Sequence, residues 1–176
     1  LYLSSGGKIC DRLHLEQIPQ GCSFGRMTGE NAPVYFTAPT PGRANGTGVA
    51  LISEQPMVKT EPGVYESAKV SVEVQGAGTV RYTLDGSVPG EEGPVYTAPI
   101  ELTETAVLHF AAFEAGKLPS EAITASYILG EGHTLPVVSL SAEPVTLNAV
   151  MAADLGDPET ACNLQLFEAE GSFSVD

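Results

Sequence analysis

The sequence contains no tryptophan, three cysteines, and eight Lys plus Arg against 22 Asp plus Glu. Each scarcity excludes something. A net charge of −14 leaves too few cations for the basic stripe that binds nucleic acid or an anionic membrane, so neither is expected as a partner. The carboxylate excess reads as solubility. No apolar run reaches the roughly 18 residues that a transmembrane helix needs, so no membrane insertion is expected. Cys10, Cys22 and Cys162 do not make a disulfide framework. Cys10 shares the parity of Arg12 and His14 rather than that of Ile9 and Leu13, so free thiols are expected, with a Cys10–Cys22 bridge across a hairpin as the alternative. There is no CxxC or Cys/His cluster to hold zinc. GxSxG, HExxH and a third glycine after Gly76-Ala77-Gly78 are also missing. No catalysis, metal or cofactor is expected. The chain lacks an initiator Met and a signal peptide, and it begins inside Leu1-Tyr2-Leu3. It is expected to be a piece of something longer.

What is present is strand patterning. In Val80-Arg81-Tyr82-Thr83-Leu84 the apolar residues alternate with polar ones, which places Val80, Tyr82 and Leu84 on one face of a strand. Asp85-Gly86 ends that run, and Pro89 and Pro94 stiffen the loop behind it. Further strands are expected at 70–74, 100–102, 107–113 and 123–129, with a turn at Gly76-Ala77-Gly78 and another at Ala115-Gly116. Short strands spaced about ten residues apart fit an antiparallel immunoglobulin- or fibronectin-like sandwich. Val72, Tyr82, Leu84, Leu108, Phe110 and Tyr127 are its expected core. His109 has the opposite parity and reads as a satisfied histidine within a sheet.

The flanks are patterned more weakly. Leu1–Leu3 and Lys8–Leu15 read as a hairpin turning at Gly6-Gly7, with Ile9, Leu13 and Leu15 on one face. This face is expected to be covered by the segment folding back along the chain, the alternative being edge-to-edge pairing of two copies. After a short hinge at Gly130-Glu131-Gly132, Leu135–Leu140 reads as a strand. Pro144 then opens a helix, whose Leu147, Val150 and Met151 form one apolar stripe ending before Gly156. Asn163–Phe167 is a further strand and Glu168–Gly171 a turn.

The string Tyr82-Thr-Leu-Asp-Gly-Ser-x-Pro89, followed by Pro94-Val-Tyr-Thr-Ala-Pro-Ile100, resembles the domain at the C-terminus of chitobiases and β-hexosaminidases. Phe110–Ser120 and Ala125-Ser-Tyr127 fit the same pattern, and the resemblance covers about residues 49–130. Gly7-Lys-Ile-Cys-Asp11, Ser23-Phe-Gly-Arg26 and Thr40-Pro-Gly-x-x-Asn45 resemble the last strands of a bacterial lamin-tail domain. Leu135-Pro-Val-Val-Ser-Leu140 and Asn163-Leu-Gln-Leu-Phe-Glu-x-x-Gly-Ser-Phe173 resemble the opening of a spore-coat-protein-H-like domain, a family of atypical secreted kinases. These resemblances imply a lamin-tail-like piece over 1–46, the sandwich over 47–130 and a coat-protein-H-like piece over 131–176. They imply a non-catalytic spacer or interaction module of a secreted bacterial surface protein, located outside the cell. Its expected partners are neighbouring domains of the same polypeptide, with a glycan or a surface protein as further options.

Two rival functions follow from the same resemblances. A carbohydrate-binding module needs exposed aromatic rings, and without tryptophan the candidates are Tyr65 and Tyr96, with Asp85 near the second to bond hydroxyls. The lead-in of an atypical kinase is the other rival, and no nucleotide-binding motif lies within these residues. Asp154, Asp157 and Glu159 are near enough in sequence to suggest a cation, as are Glu91 and Glu92 beside Asp85. Neither set has calcium-loop spacing, so no metal is expected.

Overall fold

Gly6 and Gly7 both take positive φ, 56° and 74°, which closes β1 (Tyr2–Ser5) onto β2 (Lys8–Arg12) in the expected hairpin. The computed structural model describes residues 1–15, 17–19, 21–130, 133–152, 159–168 and 171–172. They divide into two units, Leu1–Ser53 with Glu114–Pro119, and Glu54–Phe113 with Ser120–Asp176. No helix among the described residues is long and apolar enough to cross a membrane.

In the first unit, β3 (Ser23–Arg26) and β4 (Pro33–Phe36) form a second hairpin. Val34, Tyr35 and Phe36 are buried, and the Phe24 ring sits 4.7 Å from that of Tyr35. Val49 bridges Tyr35 as a third, minimal strand. Gly48 makes that approach feasible, because a Cβ there would lie 2.5 Å from Val34 Cγ2 and 2.6 Å from the Tyr35 carbonyl oxygen. β1 and β2 are exposed along their whole length, Leu1, Leu3 and Ile9 included, and Leu15 is exposed too. Leu13, on the same face, is half-buried, and within this unit the rest of that face gains no cover. The turn, the ladder and an ion pair order this hairpin rather than apolar burial: Arg26 reaches Asp11 over 2.6 Å and holds its carboxyl below the usual range.

The second unit begins with β5 (Met57–Val58) and β6 (Gly63–Tyr65). Next come β7 (Val70–Val72), β8 (Val74–Gln75), β9 (Thr79–Thr83) and β10 (Ile100–Leu102). The long strands β11 (Ala106–Phe113) and β12 (Ile123–Leu129) complete an all-β sandwich. One sheet has the order β6-β12-β11-β9, and the other is built from β10–β7 and β5–β8. Pro62-Gly63 is the corner at which the chain leaves β5 in one sheet and enters β6 in the other, where it runs parallel to β12. Residues 94–96 extend the first sheet beyond β9, with Tyr82 donating to the Pro94 carbonyl and Tyr96 to that of Val80. Val72, Leu108, Phe110 and Tyr127 are fully buried, as the alternation requires, and Tyr82 packs against them half-buried. Each such large side chain contributes roughly 1.5–3 kcal/mol by leaving water.

Leu84 is the exception, at 52 % exposed. β9 stops at Thr83, and the chain bends through 84–86, so parity no longer determines which way the side chain faces. The expected strand at 70–74 is interrupted at Glu73, whose N–H bonds the Thr60 hydroxyl instead of a ladder partner. Further on, β13 (Val137–Ala142) starts two residues later than expected, past Pro136, which has no N–H to give. It leads to α1 (Pro144–Ala152), β14 (Cys162–Glu168) and β15 (Gly171–Ser172), with β13, β14 and β15 in one sheet. α1 begins at Pro144 as expected, but its apolar stripe is not buried: Leu147 and Val150 are half-buried, and Met151 is 79 % exposed. The expected hinge at Glu131-Gly132, the helix stop at Gly156 and the middle of the 168–171 turn lie outside the described residues.

Candidate functional site

β11 is buried on both faces. Leu108, Phe110 and Ala112 point into the sandwich, while His109 and Ala111, of opposite parity, are equally covered. The cover on the second face comes from β13 and β14, which turn inward polar side chains together with Phe167. Gln165 is 3 % exposed; its Oε1 accepts from the Ser126 N–H at 2.9 Å and its Nε2 donates to the Thr124 carbonyl at 3.1 Å. β6 pairs with β12 only at 127–129, so the Gln165 amide stands in for a strand partner where β6 does not reach. Ser139 and Ser126 share a hydroxyl–hydroxyl bond of 2.7 Å, and Ser141 Oγ lies 3.4 Å from His109 Nε2. Burial pushes the His109 imidazole below its usual pKa, and the carboxylates of Asp85 and Glu143 partly offset this. His109 is thus held by a hydroxyl within packed sheets, at 2 % exposed.

The inward face of this strand pair is therefore mixed, with Phe167 buried beside the polar groups. Ser139, Ser141 and Gln165 face the sandwich, while Val138, Leu140 and Leu164 on the other parity are exposed. Gln165, Ser126 and Ser139 were not singled out from sequence. On β13 and β14 one parity is wholly apolar at Val138, Leu140, Leu164 and Leu166 and the other mixes Ser139, Ser141 and Gln165 with Val137 and Phe167, and such a pattern ordinarily puts the more apolar face inward.

The glycan candidates lie apart. Tyr65 is on β6, at one edge of the first sheet, and Tyr96 is beyond β9, at the other. Four strand spacings separate them, roughly 20 Å. The Tyr65 ring packs 6.1 Å from Tyr127 and its hydroxyl donates to the Glu61 carbonyl, with burial raising its pKa. The Tyr96 ring meets Phe110 edge-on at 6.5 Å, and its hydroxyl accepts from the Val74 N–H at 3.0 Å. Asp85 is exposed and accepts from the Ser87 hydroxyl (2.6 Å) and N–H (3.1 Å), bonds that lower its pKa and close the loop.

Among the described residues no group of three or more His, Cys, Asp or Glu is placed to hold a metal. Glu91, Glu92 and Glu159 are exposed, and Asp154 and Asp157 lie outside the described residues. Cys10, Cys22 and Cys162 are free thiols.

Residues 60–125 match the chitobiase/beta-hexosaminidase C-terminal domain family. The match covers well under half of the 176 residues and takes in the sandwich strands from β6 to β11 and the start of β12. This domain is a non-catalytic β-sandwich module, in keeping with an accessory or spacer role. No curated protein and no solved structure matches the chain.

Proposed function

We propose that the chain is a non-catalytic spacer of a secreted, multidomain bacterial surface protein, in which the chitobiase-type sandwich fixes the segment that follows it. The observation that carries this reading is the Gln165 amide seated on Thr124 and Ser126. A hinge leaves the next segment free to swing, whereas a buried, doubly bonded amide holds it in one register. On this reading residues 1–46 are the end of a lamin-tail-like domain, 47–130 the sandwich and 131–176 the start of a coat-protein-H-like domain. Their quoted motifs support these assignments, and the outside of the cell is where such modules are used. A glycan-binding role is less well supported, since the tyrosines it would use lean on the core with their hydroxyls bonded to backbone.

The test is amide hydrogen exchange on Gln165→Leu in the full chain. The expected result is faster exchange at Ser126 and along 137–142, with 106–113 still protected. Unchanged protection at Ser126 would show that Gln165 does not hold the joint, and saturable binding on a glycan array would favour the carbohydrate reading.

A further inference from the structure

Leu84, left outside the core, lies along a groove of about 530 Å³ in the second unit. Its other apolar lining includes Leu102, Val107, Leu140 on β13 and Leu147 on α1. Leu140 is 59 % exposed. Two strands border the groove, β10 and β13, and each is terminal in its sheet, which leaves one backbone edge without a strand. Proteins ordinarily blunt such an edge with Lys, Pro, a bulge or a buried charge. Val137–Ala142 has none of these, and its ladder with β14 runs without a register shift. The charged residues lining the groove, Asp85, Glu101 and Glu104, all carry one sign. Hydrogen bonds from Ser87 keep the Asp85 carboxyl ionised.

We propose that this groove takes an extended, lysine- or arginine-bearing polypeptide segment, which adds as a strand to the β13 edge. The incoming backbone pairs with β13, and its alternate side chains divide between two tasks. One set rests on Leu84, Leu140 and Leu147. The other places its cations against Asp85, Glu101 and Glu104. Charge selects this occupant over a second copy of the chain, which at −14 is repelled by the same carboxylates. The inference stands independently of the spacer reading, since it concerns a different edge and different side chains.

The test titrates the full chain into a fluorescent peptide alternating lysine and valine, with an otherwise identical glutamate–valine peptide as control. Anisotropy should show saturable binding of the first and none of the second, weakening as salt is added. Reversing Glu101→Lys and Glu104→Lys together should weaken binding about tenfold or more. Leu140→Lys alters an exposed position, so its melting curve should be unchanged while binding falls comparably. In the unaltered chain, bound peptide should slow exchange of the 137–142 amides. Absence of binding, or equal binding by Leu140→Lys with no amide protection, overturns the proposal. Self-association of the chain that Leu140→Lys abolishes would also overturn it, by assigning the edge to a second copy.

Discussion

The Tyr127 hydroxyl donates to the Thr60 carbonyl over 2.7 Å, tying the first sheet to the end of β5 in the second. Tyr96 makes the reciprocal tie by accepting from Val74 at 3.0 Å. The two phenols therefore cross the sandwich at different places, and each gives a polar tip to a ring that the core has buried.

Tyr127→Phe should cost about 0.5–1.5 kcal/mol, because it removes the donor to a partly buried carbonyl. The urea midpoint should fall with the slope unchanged. Burial raises the Tyr127 pKa above its ordinary value, so the native state holds the proton more tightly than the unfolded chain. The associated stability is fully present below about pH 10, the unfolded value, and is lost as pH rises above it. Alkaline unfolding should be less steep in the phenylalanine variant.

His109 carries the opposite pH dependence. Its pKa is lowered by burial, so protons favour the unfolded or undocked state. Stability should be fully present above about pH 6.5, the unfolded value, and decline as pH falls below it. His109→Gln should flatten that decline in melting temperature measured against pH. An equally steep acid limb in the variant would assign the effect to carboxylates instead.

Leu84→Ala and Leu108→Ala separate a strand residue from one just past a strand. Leu108 is fully buried and its truncation should cost about 2–5 kcal/mol. At 52 % exposed, Leu84 should cost less than about 1 kcal/mol. Similar urea midpoints for the two would place Leu84 back in the core.

Gly48→Ala tests the first unit. Its new methyl would meet the Tyr35 carbonyl oxygen at 2.6 Å, a backbone atom that cannot swing away. The overpacking should cost about 1–3 kcal/mol, seen as a lower melting temperature for the first unit.

The sandwich was legible because β9 alternates, β11 is a long apolar run, and the turns between strands are marked by glycine and proline. The strand over 123–129 and the buried Val72, Leu108, Phe110 and Tyr127 follow from that alone. Leu84 was misplaced because alternation specifies a face only while the ladder lasts, and the bend after Thr83 depends on the bonds from Ser87 to Asp85. The break at Glu73 depends on Thr60, thirteen residues earlier, and no local pattern reports it. The inward serines and Gln165 of β13 and β14 were hidden for a different reason. A period of two identifies two faces without saying which is inward, and the usual assumption fails where Gln165 and the serines find hydrogen-bonding partners on a sheet already formed.

Because β6 and β12 run parallel, a pull on the chain before Gly63 and after Leu129 draws the two strands past each other lengthwise. Their backbone bonds, with the added one from Gly130 to Tyr65, are then strained together rather than peeled open one at a time. Tension arriving from the N-terminal side passes Thr60 before it enters β6, so the Tyr127 tie is loaded ahead of the parallel pair and the two then resist stretching in series.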